Sequence, residues 1–282
     1  ANPLIITTGP LAGFSGLAGS RWTICSKSPS VSPQTYNYSN FGGSWGTYLK
    51  FAGLDALTIR GAADKPMYLF LHDGICEFKE ARHLWGKGAA QAREIIKGEL
   101  GQGVRVLSTG PAGENMVSFA IVLAEDDACG AAGFGAVMGS KNLKAIAVQG
   151  TKGPEPADPE KLKTLSIFLR EIKKKQPFQF PSLPQGGKVN KQICFGCIAG
   201  CDRYSMELAD GRRGKYMCAS GPFYEDFAGR YYGELNEVPF IANRLCDDYG
   251  LDTNVVMVIL DWLSRCHQNG LLSDKQTALP FS

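Results

Sequence analysis

The spacing of apolar and polar residues divides the chain into a first part rich in strands and a second part rich in helices. Short apolar runs bounded by glycine, proline or charged residues predict strands. These runs are Leu4–Thr8, 54–60, 67–71, Ile75–Glu80, 104–108 and 145–148. Apolar residues at helical spacing predict helices, and we expect the chain to be helical from Cys194 onward. The best-defined helical segments are Ala89–Leu100, 160–175, 236–249 and 253–269. We therefore predict the α+β class, with a β-rich domain over 1–150 and an α-helical domain over 151–282.

The first 150 residues also contain a weak internal repeat. The tripeptide Thr-Gly-Pro occurs at 8–10 and again at 109–111. FGGSWG at 41–46 recurs as FGAVMG at 134–139, and a Leu-Lys pair follows each copy. Two like halves predict a pseudo-twofold β domain, which could hold two copies of one ligand. The alternative is that glycine-rich sequences, which are common at strand ends and turns, recur here by chance.

Composition excludes several classes of protein. The chain is 44% hydrophobic and 20% charged, which excludes wholesale disorder. Its net charge of +3 gives no case for binding nucleic acid. We expect no membrane span, because no apolar run reaches the roughly 18 residues required. Nine cysteines without a signal-peptide pattern indicate metal or redox chemistry in a reducing compartment, so we expect a cytoplasmic protein.

Three of the cysteines are closely spaced, in the sequence CFGCIAGC at 194–201. On a helix, Cys194, Cys197 and Cys201 would share one face, so that their thiolates could converge. Soft thiolates favour an iron–sulfur cluster or zinc, and inert buried cysteines are a third interpretation. A [4Fe–4S] cubane needs a fourth ligand. The later cysteines have no supporting motif; they are Cys218, Cys246 and Cys266.

Three other segments each allow a structural and a functional interpretation. The glycine-rich run 130–144 could wrap amides around phosphate, or it could pack as tight turns. In 247–253, Gly250 is predicted to end one helix and Asp252 or Thr253 to cap the next. The carboxylates and backbone of that junction could instead bind a heterocycle. Glu225 could shuttle protons near a metal, or be an exposed glutamate in the first turn of a helix.

Together these segments resemble the aldehyde:ferredoxin oxidoreductase family of tungsten enzymes. The matching text covers nearly the whole chain. Its clearest parts are NFGG at 40–43, GFGAVMGSKNLKAIAV at 133–148, CFGCIAGC at 194–201, GPFYE at 221–225 and DYGLDT at 248–253. The resemblance implies a pterin platform on the β-rich domain, with two pterin dithiolenes holding one tungsten; molybdenum is the alternative metal. It also implies a [4Fe–4S] cluster alongside and Mg²⁺ at the pterin phosphates.

The resemblance also assigns roles near the metals. Cys194, Cys197 and Cys201 match three cluster ligands, and Glu225 matches a glutamate that handles protons near tungsten. Related arene-CoA reductases place a cysteine on tungsten at a similar distance after the triplet. Cys218 is therefore a candidate tungsten ligand, with a structural thiol as the alternative.

On the pterin side, the resemblance assigns nine residues to cofactor binding. They are Arg21, Asn40, Gly42, Ala128, Gly130, Asp247, Gly250, Leu251 and Asp252. Arg21 matches an arginine between pterin and cluster, and Asn40 an asparagine that helps to hold Mg²⁺. Two arginines that the family often has beside the phosphates are replaced here by Asp127 and Ala131.

The implied function is the oxidation of aldehydes to carboxylic acids, with electrons passed to ferredoxin or to an iron–sulfur partner subunit. The resemblance also implies an oligomer and a small aldehyde or acyl substrate. One alternative is reduction of an aromatic or acyl-CoA thioester with the same cofactors. Another is a degenerate, non-catalytic cofactor-binding or electron-transfer subunit. The text of the family's opening segment and C-terminal half is missing, so we expect only part of the complete catalytic chain.

Overall fold

A computed structural model describes residues 2–125, 128–175, 187–201, 203–217, 222–273 and 275. The strands are β1 (Leu4–Thr8), β2 (Trp22–Lys27), β3 (Tyr36–Phe41), β4 (Ala56–Ile59), β5 (Met67–His72), β6 (Ile75–Glu80), β7 (Arg105–Thr109), β8 (Val122–Ala124), β9 (Ala128–Gly130), β10 (Leu143–Gln149), β11 (Lys188–Lys191), β12 (Arg203–Glu207) and β13 (Arg213–Met217). The helices are α1 (Trp45–Phe51), α2 (Ala89–Leu100), α3 (Pro111–Glu114), α4 (Phe134–Gly139), α5 (Pro159–Lys175), α6 (Pro222–Tyr232), α7 (Val238–Tyr249) and α8 (Thr253–Gln268). None of these helices is both long and apolar enough to cross a membrane.

The predicted α+β class is confirmed. Local signals placed β1, the β5–β6 hairpin and α2 well, whereas β2, β3, β8 and β9 were not predicted. The prediction of helix from Cys194 onward is wrong up to α6, because β11, β12 and β13 form an antiparallel sheet there. In β12 the buried Met206 lies between the half-buried Ser205 and Glu207. This alternation has the period of a strand with one covered face, which explains the difference.

The internal repeat corresponds to a repeated topology in the first 150 residues. The first sheet has the order β3-β2-β1-β4, and four strands of the second follow the same plan as β9-β8-β7-β10. All pairings within both sets are antiparallel. Each Thr-Gly-Pro tripeptide begins at the last residue of a strand, β1 or β7. The two copies of the glycine-rich segment contain the starts of helices α1 and α4. The β5–β6 hairpin extends the second sheet beyond β10.

The two halves share one apolar core. Helix α1 of the first half packs against β10 of the second, and α4 of the second packs against β2 of the first. The Trp45 indole donates a hydrogen bond across this junction to the Ile146 carbonyl, at 3.1 Å. The rings of Trp22 and Phe41 stack with their centres 4.0 Å apart inside the core. The crossed packing of helices on sheets joins the two halves in one apolar core.

A close approach between the halves involves a glycine. A Cβ atom built on Gly130 in β9 would overlap the ring of Phe41 at the end of β3. Any side chain there would force the two strands apart, since cores of native density have no room to absorb added atoms.

Gly130→Ala is expected to lower the free energy of unfolding by about 1–3 kcal/mol, the usual cost of overpacking. Gly98→Ala is the matched control, because Gly98 lies within α2 and a Cβ atom added to it would have no other atom within 4 Å. The control should gain stability by about 0.5–1 kcal/mol, as alanine favours a helix interior. Thermal unfolding of both variants measures this, and equal stability of the two would contradict the assigned contact.

Candidate cofactor-binding site

The cysteine triplet lies in a loop rather than on a helix. Residues 194–201 contain a turn, and Cys197 forms an isolated parallel bridge with Leu17. Gly196 and Gly200 adopt φ angles of +62° and +60°, in the left-handed region that favours glycine. Because two residues leave the helical region, the predicted common helical face of the three thiols does not form.

This loop is anchored on the first half of the β-rich domain. The Gly16 amide donates to the Gly196 carbonyl at 2.8 Å, and the Ile198 amide donates to the Leu17 carbonyl at 3.0 Å. The Phe195 ring meets the Phe51 ring edge-on. The triplet is therefore held by backbone pairing and an aromatic contact, both provided by the N-terminal domain.

Cys194 lies directly against the glycine turn that follows β3. The Gly43 amide donates to Cys194 Sγ at 3.1 Å. A Cβ on Gly42 would stand 2.7 Å from the same sulfur and 3.1 Å from Nη1 of the buried Arg203. Gly42 thus leaves room for both the thiol and the guanidinium beside the turn, and the Gly43 amide donor suits a negatively charged sulfur.

The other two cysteines are held more loosely. The Ala199 amide donates to Cys197 Sγ at 3.4 Å, and the Lys191 ammonium donates to the Cys201 carbonyl at 2.5 Å. Within the described ranges, no three His, Cys, Asp or Glu side chains are grouped so that they could hold a metal ion. The predicted convergence of the three thiols on one point is therefore not seen.

The pterin-side candidates of the first domain lie along β3 and β9. Asn40 is exposed in β3, and Arg21 Nη1 lies 3.5 Å from its carbonyl oxygen. Ala128 and Gly130 begin and end β9, and both are buried. The contact between Gly130 and Phe41 places these two candidate regions side by side.

The predicted helix junction at 247–253 is confirmed. Gly250 ends α7 with φ +77°, and the Asp252 carboxylate caps α8 by accepting from the Asn254 amide at 3.0 Å. The Gly250 carbonyl accepts from the Ile121 amide at 2.8 Å, and Leu251 bridges to Ala120. The backbone of this junction is thus joined to the second half of the β-rich domain.

Asp247, one turn earlier in α7, is engaged in a buried ion pair. Its carboxylate lies 2.7 Å from Nζ of Lys215 in β13, and each side chain is 2% exposed. Burial by itself disfavours the charged lysine, but Asp247 and Cys129 outweigh it and raise the pKa of Lys215 above its ordinary value. Cys129 lies between Ala128 and Gly130, so Lys215 links the α7 motif to β9.

No local pattern predicts the role of this lysine. A charged residue in a short strand is ordinarily exposed, and the partners of Lys215 lie 32 and 86 positions away. Its burial arises only when β9, β13 and α7 meet.

Glu225 lies in the first turn of α6, where its carboxylate accepts from the Tyr216 hydroxyl at 2.5 Å. Across the small sheet, Tyr216 pairs with Tyr204, and Tyr204 pairs with Lys191. Lys191 is the residue that binds the Cys201 carbonyl. A row of paired residues therefore connects the triplet to Glu225, and its part from Lys191 to Tyr216 spans two strand spacings, or about 10 Å.

The glycine-rich run 130–144 is accounted for by close packing. Cβ atoms on Gly133, Gly135 and Gly139 would each overlap the backbone of another segment, respectively at Ser118, Ile121 and Gly113. The tight-turn interpretation is therefore supported. Cys218, the candidate tungsten ligand, lies outside the described residues.

The buried pair of Lys215 and Asp247 yields a quantitative expectation. Lys215→Met should destabilise the fold by about 3–5 kcal/mol, because the buried carboxylate loses its counter-charge. Adding Asp247→Leu removes the orphaned charge and should restore most of that loss. Urea unfolding of the two single variants and the double variant measures the coupling. Additive effects of the two substitutions would contradict a direct ion pair.

Comparisons with known proteins agree with this architecture. The family model for "Aldehyde ferredoxin oxidoreductase, N-terminal domain" matches residues 1–150, and that for "Aldehyde ferredoxin oxidoreductase, domains 2 & 3" matches residues 173–282. The tungsten-containing aldehyde ferredoxin oxidoreductase of Thermococcus kodakarensis is 34% identical over 329 aligned residues, and that of Pyrococcus furiosus is 33% identical over 330. Each alignment covers 99% of this chain and 53% of the relative.

Two further matches are informative. The WOR-like subunit of an aliphatic sulfonate oxidoreductase from Pyrococcus furiosus is 37% identical, over 96% of this chain and 51% of its own length. The solved active-site complex BamBC of benzoyl coenzyme A reductase superposes with a TM-score of 0.84 at 24% identity. That alignment covers 97% of this chain and 49% of the solved one, and at this identity it shows the fold alone. The chain spans about half the length of the curated relatives that it matches. With both family models matched along it, the chain belongs to the aldehyde ferredoxin oxidoreductase family.

Proposed function

We propose that this chain forms the cofactor-binding half of a tungsten oxidoreductase that converts aldehydes to carboxylic acids. In this proposal two pterins hold the metal above the β-rich domain, and Cys194, Cys197 and Cys201 provide three ligands of a [4Fe–4S] cluster beside them. The observation that carries the proposal is the approach of Cys194 Sγ to the Gly42-Gly43 turn. It joins the candidate cluster loop to a candidate pterin turn.

The environment of the triplet fits an iron–sulfur cluster better than a single ion. In a cubane each thiolate binds a different iron atom, so the sulfurs need not converge on one point. Amide donors to ligand sulfurs tune such clusters, and Gly43 and Ala199 donate to the sulfurs of Cys194 and Cys197. The glycine conformations at 196 and 200 let the loop wrap around a bulky group.

The paired topology of the β-rich domain supports a site for two like ligands. β3 and β9 occupy equivalent positions in the two halves, and they lie in contact at Phe41 and Gly130. Asn40 and Ala128 would then face equivalent phosphate groups, with Mg²⁺ held between them. Arg21, beside Asn40, would place a positive charge at the same edge.

The acidic residues of the α7 junction would act mainly by holding the neighbouring backbone in place. Asp247 and Asp252 are both engaged within the protein, with Lys215 and with the start of α8. They would hold Gly250 and Leu251 against the second half of the β-rich domain, where the backbone would line one pterin.

The overall reaction adds the oxygen of water to the aldehyde carbon and releases two electrons and two protons. When bound, the tungsten centre would polarise the carbonyl and accept the electron pair. Glu225 would accept a proton at a carboxylate oxygen, while its bond from Tyr216 fixes the orientation of the group. The electrons would leave singly through the cluster to ferredoxin or to an iron–sulfur partner subunit.

Metal analysis of the natively purified protein tests this assignment. We expect tungsten (or molybdenum) together with iron, and no zinc. Cys194→Ala should lower the iron content and the visible absorption of the cluster, since one ligand is lost. Cys76→Ala is the matched control, because Cys76 is an exposed cysteine on β6.

Iron without either heavier metal would contradict the tungsten site and leave an electron-transfer protein. Iron content that is unchanged in Cys194→Ala, or reduced equally in Cys76→Ala, would contradict the cluster assignment.

The role of Glu225 has its own test. Glu225→Gln is expected to lower kcat for aldehyde oxidation by about 10²-fold or more, because the proton acceptor is lost. Asp226→Asn, its exposed neighbour in α6, should have little effect. Rates measured from acidic to alkaline pH with a viologen dye as electron acceptor make the comparison. A Glu225→Gln enzyme with the wild-type rate and pH profile would exclude the proposed role.

A further inference from the structure

Helix α5 is an unusual surface of the chain, since none of its residues is buried. It carries six lysines and arginines against two glutamates, an excess of four positive charges, whereas the whole chain has a net charge of +3. Most of α5 falls in 151–172, between the ranges that the two family models match. Lys173, Lys174 and Lys175 lie within the second matched range, so only part of the charge of α5 falls outside the family models.

The side chains of α5 are sorted into stripes. The half-buried residues Leu162, Ser166 and Leu169 recur at helical spacing and mark the inner face. One flank of the helix has an apolar stripe, which consists of Leu165, Phe168 and Ile172, each between 41% and 59% exposed. The opposite flank carries the exposed basic side chains of Lys163, Arg170 and Lys174, which lie around Ile167, itself 54% exposed.

The inner face of α5 lies on the elements that hold the cysteine triplet. A Cβ on Gly16 would overlap the hydroxyl of Ser166, and Gly16 is the residue that bonds to Gly196 in the cysteine loop. At the end of the helix, a Cβ on Gly200 would stand 3.4 Å from Nζ of Lys173. The charged helix therefore covers one side of the loop that contains Cys197 and Cys201.

We propose that the basic flank of α5 is the docking surface for an acidic one-electron carrier of the ferredoxin type. The proposal rests on the function proposed above, because it requires electrons to leave through the triplet. Basic side chains around the exposed Ile167 complement an acidic protein with an apolar contact patch. Electron transfer needs a short path from donor to acceptor, and α5 brings such a partner next to the cysteine loop. An anionic membrane would also attract a basic amphipathic helix, but nothing ties a membrane to the cysteine loop.

The test measures binding and electron transfer separately, with the protein purified with its cofactors. The probe is a purified acidic ferredoxin that carries two [4Fe–4S] clusters. The variant combines Lys163→Glu, Arg170→Glu and Lys174→Glu, all at exposed positions outside the catalytic site. Arg60→Glu is the control, because Arg60 is an exposed basic residue remote from α5. It follows Ile59, which pairs with Leu4 at the start of β1, whereas the 13–17 loop lies beyond the end of that strand.

Calorimetric titration should show that the triple variant raises the Kd for ferredoxin by about tenfold or more, whereas Arg60→Glu changes it by less than about twofold. Wild-type binding should weaken with added salt, because exposed charges are screened. Activity with ferredoxin should fall in the triple variant, and activity with a small viologen dye should not change.

Three results would overturn the docking surface: no binding by the wild type, equal binding by the triple variant, or equal losses in the control. Charge-dependent binding to phosphatidylcholine–phosphatidylglycerol vesicles without binding to ferredoxin would also overturn it, in favour of a membrane. Metal content and dye reduction are measured in the same samples. If the wild-type protein lacks the metals and does not reduce the dye, the proposed enzymatic function is wrong. If it reduces the dye but its binding to ferredoxin does not depend on these charges, only the docking surface is wrong.

Discussion

The ring of Phe41 reaches the backbone of Gly130, and this contact sets how closely the two halves of the β-rich domain approach. The next residue, Gly42, gives room for Cys194 and Arg203 in the same way. One short turn after β3 therefore has two functions. It closes the core between the halves, and it positions a sulfur that is a candidate cluster ligand. A side chain at either glycine position would alter the packing of the core and the geometry of the site together, because native cores transmit strain rather than absorb it.

The second part of the chain contacts equivalent places on the two halves. The cysteine loop meets the turn after β3, and Lys215 reaches Cys129 in β9, the corresponding strand. The junction after α7 adds a third attachment through the Ile121 amide. The ion pair of Lys215 with Asp247 adds little net stability compared with an apolar pair, since both charges lose their hydration. We infer that its main contribution is to fix the register of β13 and α7 on β9.

Sequence analysis was most reliable where the determining signal is local. The Asp73-Gly74 hairpin, the α2 periodicity and the helix junction at Gly250 depend on a few neighbouring residues, and all were predicted. For the cap of α8 the sequence left Asp252 and Thr253 open, and the structure assigns Asp252. The cysteine loop was not predicted, because its left-handed glycines are selected by contacts with Leu17 and Gly43, far away in the chain. The partners of Lys215 could not be predicted either, because they lie far from it in the sequence. The repeated sequence segments predicted that the two halves are equivalent, although neither segment alone indicated the strands β2 and β8.

Net charge is a poor guide to the electrostatics of this chain. A value of +3 over 282 residues suggests a nearly neutral surface, and in α5 alone the excess of positive charge is larger than that. The remainder of the chain therefore has a formal net charge of −1, and α5 places its positive excess on the side where the cysteine loop lies. Steering of a charged partner depends on such local fields, which extend about one Debye length, or roughly 8–10 Å, at physiological salt. Because α5 contributes no buried side chain, substitutions at its exposed positions would leave the two-half core unchanged.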